Sequence, residues 1–382
     1  MNTLKVGSLF AGVGGICSGF LQASEENEYK YTIAWANEID KYACETYRHN
    51  FSHMLIEGDI EKILAPELAS DNFVDYKYYS KMRETILSQK IDVLNGGFPC
   101  QAFSVAGERK GFADERGNLF FSIVELIKQL GEYQEKPRFL LLENVKNLQN
   151  HNNGHTYEVI KKCLEQQGYM IVEAVLNTMD LTSLPQNRER LYILGFLNQI
   201  DYECFTLFDK LEKYKIHKTH CERKLDIQTI ISNDVVDEKY FYTEEKYPNY
   251  FNGNINLANE IDEQLQFYQL RRVYVRKNKN NVCPTLTANM GTGGHNVPLI
   301  LTKGGIRKIT PAEAFRLQGF NVGDGYQLPV ISDCHLYKQA GNAVSVPVVK
   351  LLAEELLRIV KATENIKDRS ALCANNIIDI AV

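Results

Sequence analysis

The sequence has no CxxC pair, no long apolar run, no surplus of positive charge and no internal repeat, and each absence closes off a class of function. Its nine cysteines are scattered and odd in number, which argues against a disulfide framework and for a reducing cytoplasm. The segment "HKTHC" (His217, His220, Cys221) has no second ligand cluster to complete it, so it reads as a solvated charged stretch and no metal is expected. The N-terminal "LKVGSLFAGVGGICSGF" is apolar, but it is glycine-rich and follows the wrong charge pattern for a signal peptide. It reads instead as strand, loop and helix. With 43 Lys and Arg against 48 Asp and Glu the net charge is −5, so any affinity for nucleic acid must be local.

What remains is a globular composition, 44% hydrophobic and 24% charged, in a 382-residue chain long enough for two domains. Short apolar runs alternate with helical patterns through the first half, as in a parallel α/β sheet. Strands are predicted at 5–10, 31–36, 91–97, 138–143, 170–177 and 191–196, with helices at 118–130 and 156–167 and a further helical segment within 65–89. After residue 198 the periodicity fades. From Gln264 to Ala312 there are eight basic residues and no Asp or Glu, and an amphipathic helix then occupies 346–362. The expected organisation is a sheet domain over 1–198, an irregular small domain over 199–305, a hinge segment over 306–338, a returning helix over 339–362 and a tail over 363–382.

Several residues collect at predicted strand ends. "SLFAGVGGICSGF" places Gly12, Gly14 and Gly15 in a βα turn where a nucleotide-like ligand can approach the backbone, although G-x-G-x-x-G spacing is absent. Glu38 in "WANEID" sits where an acid accepts ribose hydroxyls, and Asp59 in "EGDI" where one accepts an adenine amino group. Dinucleotide and S-adenosylmethionine sites both fit to this point. "GGFPCQAFSVAG" then puts Cys100 after Pro99 at a strand end, a poor place for a buried structural thiol. The following loop, with Gly107, Gly111 and Gly117 beside Arg109, Lys110 and Arg116, reads as a lid facing phosphates. Glu143 in "LLLENV" ends another strand on the same rim, and Arg188 and Arg190 in "PQNRERLYILGF" share one face of extended chain.

In order along the chain, "SLFAGVGG", "NEIDKYA", "EGDI", "GGFPCQAFS", "LLENV", "PQNRERLYILGF", "RKITPAEAFRLQGF" and "KQAGNAVSVP" together resemble the C5-cytosine-specific DNA methyltransferases of bacterial restriction-modification type. The resemblance spans nearly the whole length. It implies an α/β fold, a Rossmann-like S-adenosylmethionine-dependent methyltransferase sheet with a smaller irregular, mostly β target-recognition domain. By motif, the cofactor contacts would be Phe10, Gly12, Gly14, Gly15, Glu38, Ile39, Asp59, Ile60, Pro99, Leu119, Asn342 and Val344. Cys100 would be the nucleophile at C6 of a flipped cytosine, Glu143 would hold N3 and the exocyclic amine, Arg190 would contact O2, and Arg188 would support the site electrostatically.

Double-stranded DNA would meet Gln101, Ser104, Arg109 and Lys110 of the lid, and Lys277, Lys279, Thr285, Thr287, Gly291, Gly293 and Gly294 of the small domain. A monomer in the cytoplasm, on the nucleoid through its DNA, with a cognate restriction endonuclease acting separately, completes the expectation. Two other readings fit less well. A nicotinamide-dependent oxidoreductase leaves "FPCQ", "ENV" and "QNRER" without a task, and relatives acting on tRNA carry a second proline where Phe98 stands.

Overall fold

The computed structural model describes residues 2–25, 27–98, 119–217, 227–231, 236–292 and 297–378. Seven strands form the main sheet: β1 (Thr3–Leu9), β2 (Lys30–Glu38), β3 (Leu55–Glu57), β4 (Val93–Gly97), β5 (Phe139–Val145), β6 (Met170–Asn177) and β7 (Glu189–Phe196). Their spatial order is β3-β2-β1-β4-β5-β7-β6. All pairings from β3 to β5 are parallel, but β7 runs antiparallel to both β5 and β6. This corrects the expectation of a purely parallel sheet. A parallel pair needs a crossover of about a dozen residues or more, usually a full helix, whereas residues 178–188 hold a single helical turn, Thr178–Leu181. The chain therefore doubles back.

Helices α1 (Gly15–Ala23), α2 (Lys41–Asn50), α3 (Ile60–Leu64), α4 (Phe73–Ser88), α5 (Leu119–Tyr133) and α6 (His155–Gln166) follow the strands. The central strands are apolar on both faces and bury both. On one face Val6, Ile33, Leu141 and Leu194 pack with α1 and with Leu352, Leu356 and Val360 of the last helix. On the other, Leu9, Leu94, Leu140 and Ile193 pack with α3, α5 and α6. The helix expected within 65–89 is α4, started by Asn72, whose side chain accepts from the Val74 and Asp75 amides. The last helix runs Val346–Ile378, well past residue 362, because no glycine or proline follows to stop it.

The small domain holds an antiparallel sheet, β8 (Tyr268–Leu270), β9 (Val275–Lys277), β10 (Leu299–Thr302) and β11 (Gly305–Lys308), in the order β11-β10-β8-β9. Its acid-free stretch is less free than it looks. Lys277 pairs with Asp262 at 3.2 Å and Glu263 at 2.8 Å, two acids lying just before Gln264. Arg307 makes a bidentate pair with Glu313, at 2.8 and 2.7 Å, just after Ala312. The latter pair is almost fully buried, at 1% and 0% side-chain exposure, and Glu313 also closes a capping box with Thr310.

Removing one member of such a pair strands a buried charge. Arg307→Met is expected to lower unfolding free energy by about 3–5 kcal/mol. Adding Glu313→Gln, which keeps an N3 capping side chain without its charge, should recover part of that loss. Urea titration of the two variants checks both halves, and an Arg307→Met protein as stable as wild type would refute the assignment.

Candidate active site

The end of β1 is bent into the left-handed region at Phe10 (φ 52°) and again at Gly12 and Gly14, before α1 begins. Such conformations cost roughly 1–3 kcal/mol at a non-glycine residue and persist where surrounding structure holds them. The Ala11 amide donates to Asn37 O at 2.9 Å, and the Gly14 amide to Ala11 O at 2.8 Å. Gly14 has no room for a side chain: a Cβ would lie 2.2 Å from the Phe51 ring. Glu38, at the end of β2, ties the turn down. Its Oε2 accepts from the Gly12 amide at 2.7 Å, and its Oε1 from the Ile39 and Asp40 amides at 2.9 and 2.8 Å. A carboxylate has about four acceptor sites, so roughly one is left for a ligand.

Glu143 stands at the end of β5, level with Gly97 of β4, where a Cβ on Gly97 would come within 3.3 Å of Oε2. Its neighbour Asn144 donates from Nδ2 to Phe98 O at 2.8 Å and so fixes the exit of β4. Glu143 is 8% exposed, and its Oε1 lies 3.0 Å from Arg190 Nε. Burial pushes its pKa above the usual carboxylate range, against the opposing pull of Arg190 and Arg188. Arg188 is buried and directs its fork at backbone: Nη1 to Leu286 O at 3.1 Å, Nη2 to Gly341 O at 3.1 Å and Ala343 O at 2.6 Å. Desolvation and the neighbouring Arg190 charge push its pKa down to about 9, which leaves it a cation at neutral pH.

These groups line one cavity of about 400 Å³. It brings together Phe10, Gly12, Gly15, Glu38, Ile39, Leu119, Glu143, Arg188, Arg190, Asn342 and Val344. Gly14, Asp59 and Ile60 do not reach it. Ile60 is buried in the core, and Asp59 caps α3 by accepting from the Glu61 amide at 3.0 Å. Missed from the sequence were Lys338 and Asp40, an ion pair at 2.8 Å on the cavity wall. They lie 298 positions apart, so no local pattern could have joined them. Pro99, Cys100, Gln101, Ser104, Arg109, Lys110, Gly293 and Gly294 lie outside the described residues.

A second concavity, of about 650 Å³, opens between the small domain and the lead-in to β7. Lys279, Thr285 and Thr287 line it, as do Gln269, Arg271, Arg276 and Asn289, while Lys277 and Gly291 do not. The two threonines already have internal acceptors. Thr285 Oγ1 donates to Asn187 O and Thr287 Oγ1 to Asn289 Oδ1, both at 2.5 Å. The 283–287 segment is laced to 185–187 by Cys283 N to Pro185 O at 2.6 Å and Asn187 N to Cys283 O at 2.9 Å. Among the described residues, no Asp or Glu lines this cleft.

A profile of the C-5 cytosine-specific DNA methylase family matches residues 4–358. The chain belongs to that family. The type II methyltransferase M.Bsp6I of Bacillus sp. is 44% identical over 359 residues, covering 93% of this chain and 99% of the relative. M.HpaII of Haemophilus parainfluenzae is 33% identical over 359 residues, covering 91% and 88%. The fold is shared with the S. pombe Dnmt2 methyltransferase, at 18% identity and a TM-score of 0.64 over 94% of this chain and 99% of that one.

As a cytosine-5 DNA methyltransferase the chain acts on DNA, with S-adenosylmethionine as methyl donor. The 400 Å³ cavity suits that donor: Ile39 is 66% exposed beside it, an apolar surface free to meet an adenine ring, and Glu38 keeps an acceptor site beside the glycine turn. Among the described residues, no helix is long and apolar enough to cross a membrane, and no group of three or more His, Cys, Asp or Glu could hold a metal.

Glu38→Gln replaces one acceptor oxygen with a donor that faces backbone N–H groups. The variant is expected to bind S-adenosylmethionine at least about tenfold more weakly, the loss of one charge-assisted hydrogen bond at the turn. Calorimetric titration measures this, and unchanged affinity would remove Glu38 from the cofactor site.

Proposed function

We propose that this chain is the modification enzyme of a type II restriction-modification system, methylating C5 of one cytosine within a specific duplex sequence. The observation that carries the reading is the Glu143–Arg190 pair, buried at the sheet rim in the same cavity as Glu38 and Ile39 and level with the strand that leads to Cys100. Type II methyltransferase relatives of matching length support the restriction-modification assignment. The proposed setting is a monomer in the bacterial cytoplasm, on the nucleoid through its DNA, beside a separate cognate endonuclease.

Cytosine C5 is a weak nucleophile, and the residues divide the work of activating it. The Cys100 thiolate adds to C6 while Glu143 delivers a proton to N3, which turns C5 into an enamine carbon. A carboxyl whose pKa is raised by burial holds that proton more readily at neutral pH. Arg190 sits at O2, where negative charge would build if N3 were not yet protonated. S-adenosylmethionine, when bound, supplies an electrophilic methyl group. Loss of the C5 proton to water acting as base, with return of the N3 proton to Glu143, then lets the thiolate leave and the aromatic ring return. Stacked duplex hides C6, so the base must first be flipped out.

Bisulfite sequencing of a host genome expressing the protein tests the reading directly. Protected cytosines in a single sequence context are expected, and uniform conversion would sink it. Cys100→Ser should abolish methyl transfer while cofactor and DNA still bind. On duplexes carrying 5-fluorocytosine, wild type should form a denaturant-resistant adduct that the serine variant lacks. Glu143→Gln should slow turnover by roughly 10²-fold or more with little effect on DNA affinity.

The small-domain cleft divides its cations. Phosphate contacts release counterions and set the salt dependence of binding. Alanine at Arg271, Arg276 or Lys279 should therefore flatten the salt slope, whereas Lys277→Ala should leave it, because Lys277 is already paired with Asp262 and Glu263. Titrations on one duplex at several salt concentrations decide it. A slope that responded to Lys277 alone would reverse the assignment.

A further inference from the structure

Arg188 is a buried cation whose guanidinium donates three hydrogen bonds, all to neutral backbone carbonyls, and the three carbonyls come from two separate places. Leu286 belongs to the 283–289 segment on the rim of the 650 Å³ cleft. Gly341 and Ala343 flank Asn342, at the end of the helix Asp333–Asn342, on the wall of the 400 Å³ cavity. Burying a guanidinium this way is costly, and Glu143, the carboxylate whose charge favours it, is itself paired with Arg190 at 3.0 Å. Gly341 makes a second contact across the same seam: a Cβ there would fall 2.5 Å from the carbonyl carbon and oxygen of Thr287. The backbone of the cofactor-side helix thus rests directly on the cleft-side loop.

We propose that Arg188 is a positioning residue that locks the 283–289 loop to the 341–343 turn, so that occupancy of the cofactor cavity and docking of duplex DNA on the small domain each strengthen the other. This rests on the methyltransferase reading above and names how its two sites communicate. The loop cannot shift on DNA without pulling Leu286 O from Nη1, and the guanidinium cannot follow without disturbing Gly341 and Ala343. Coupling between two sites is reciprocal, so a cofactor that settles the turn must also settle the loop. Arg190, two residues on and facing the same way, carries the same shift to Glu143. Lysine cannot replace Arg188 here, because one ammonium on a flexible stem does not span three carbonyls set by a planar fork.

The experiment uses S-adenosylhomocysteine as a non-reactive probe and a duplex bearing the sequence found by bisulfite sequencing. Wild type is expected to bind the probe at least about fivefold more tightly with duplex present than without it, at the lower end of ordinary site–site coupling. In Arg188→Lys that ratio should fall below about twofold, whatever the change in affinity for either ligand alone. Wild-type hydrogen exchange gives a second readout that needs no variant to fold: the probe alone, without DNA, should protect the amides of residues 283–289. Unchanged exchange there, or full coupling in Arg188→Lys, would overturn the lock and leave the methyltransferase reading intact. A wild-type protein that binds the probe but methylates and binds no duplex would overturn both.

Discussion

A carboxylate buried at the edge of a sheet is tolerated only if a cation meets it at close range, since the desolvation of either charge alone costs several kcal/mol. Much of the catalytic half of this protein follows from meeting that condition at Glu143. In the antiparallel register of β5 and β7, Glu143 faces Tyr192 and Val145 faces Arg190. Residues two apart on one strand share a face, so Glu143 and Arg190 become diagonal neighbours on the same side of the sheet. A slip of one residue would turn Arg190 to the opposite face and leave the carboxylate alone. The reversal of β7 is therefore what delivers the partner charge. A parallel β7 would enter from the far edge of the sheet, with Arg190 remote from the rim.

The same register explains why the cavity holds two arginines with different duties. Arg188 precedes β7 and continues its alternation, so it shares the face of Arg190 while lying one step further from the sheet. There it meets backbone from the helix Asp333–Asn342 and from the small domain instead of a carboxylate. One short segment, 185–190, thus touches Glu143 at its far end and the small domain at its near end.

The strands were legible because buried parallel strands read as near-continuous runs of Val, Ile and Leu, and the rim acids because each interrupts such a run at its end. Direction was not legible: apolar content says that 191–196 is a strand, but only the shortness of the 178–188 connection says which way it must run. The window from Gln264 to Ala312 misled for a related reason. Charge counted along the sequence ignores acids just outside the window, and Asp262, Glu263 and Glu313 sit at its two borders, against Lys277 and Arg307. Glu38 ends β2 and lines the cavity, whereas Asp59, two residues past β3, caps α3 and is not among the lining residues. The role of Arg188 needed three carbonyls from residues 98 to 155 positions away, which no local pattern encodes.

Two concavities that share a wall can change at different rates. The 650 Å³ cleft presents Gln269, Arg271, Arg276, Lys279 and Asn289 from short strands and loops, and all but Gln269 are exposed. If this surface meets DNA as proposed, exchanging those exposed residues alters which base edges and phosphates it can reach without disturbing a buried group. The 400 Å³ cavity has no such latitude. Glu38 has three of its acceptor sites filled by backbone amides, Gly14 abuts Phe51, and Glu143 depends on the one register that brings Arg190 beside it. On the proposed reading, substrate sequence can therefore be altered on the small domain while the chemistry stays fixed at the sheet, provided that the seam at 185–188, 283–287 and 341–343 is kept.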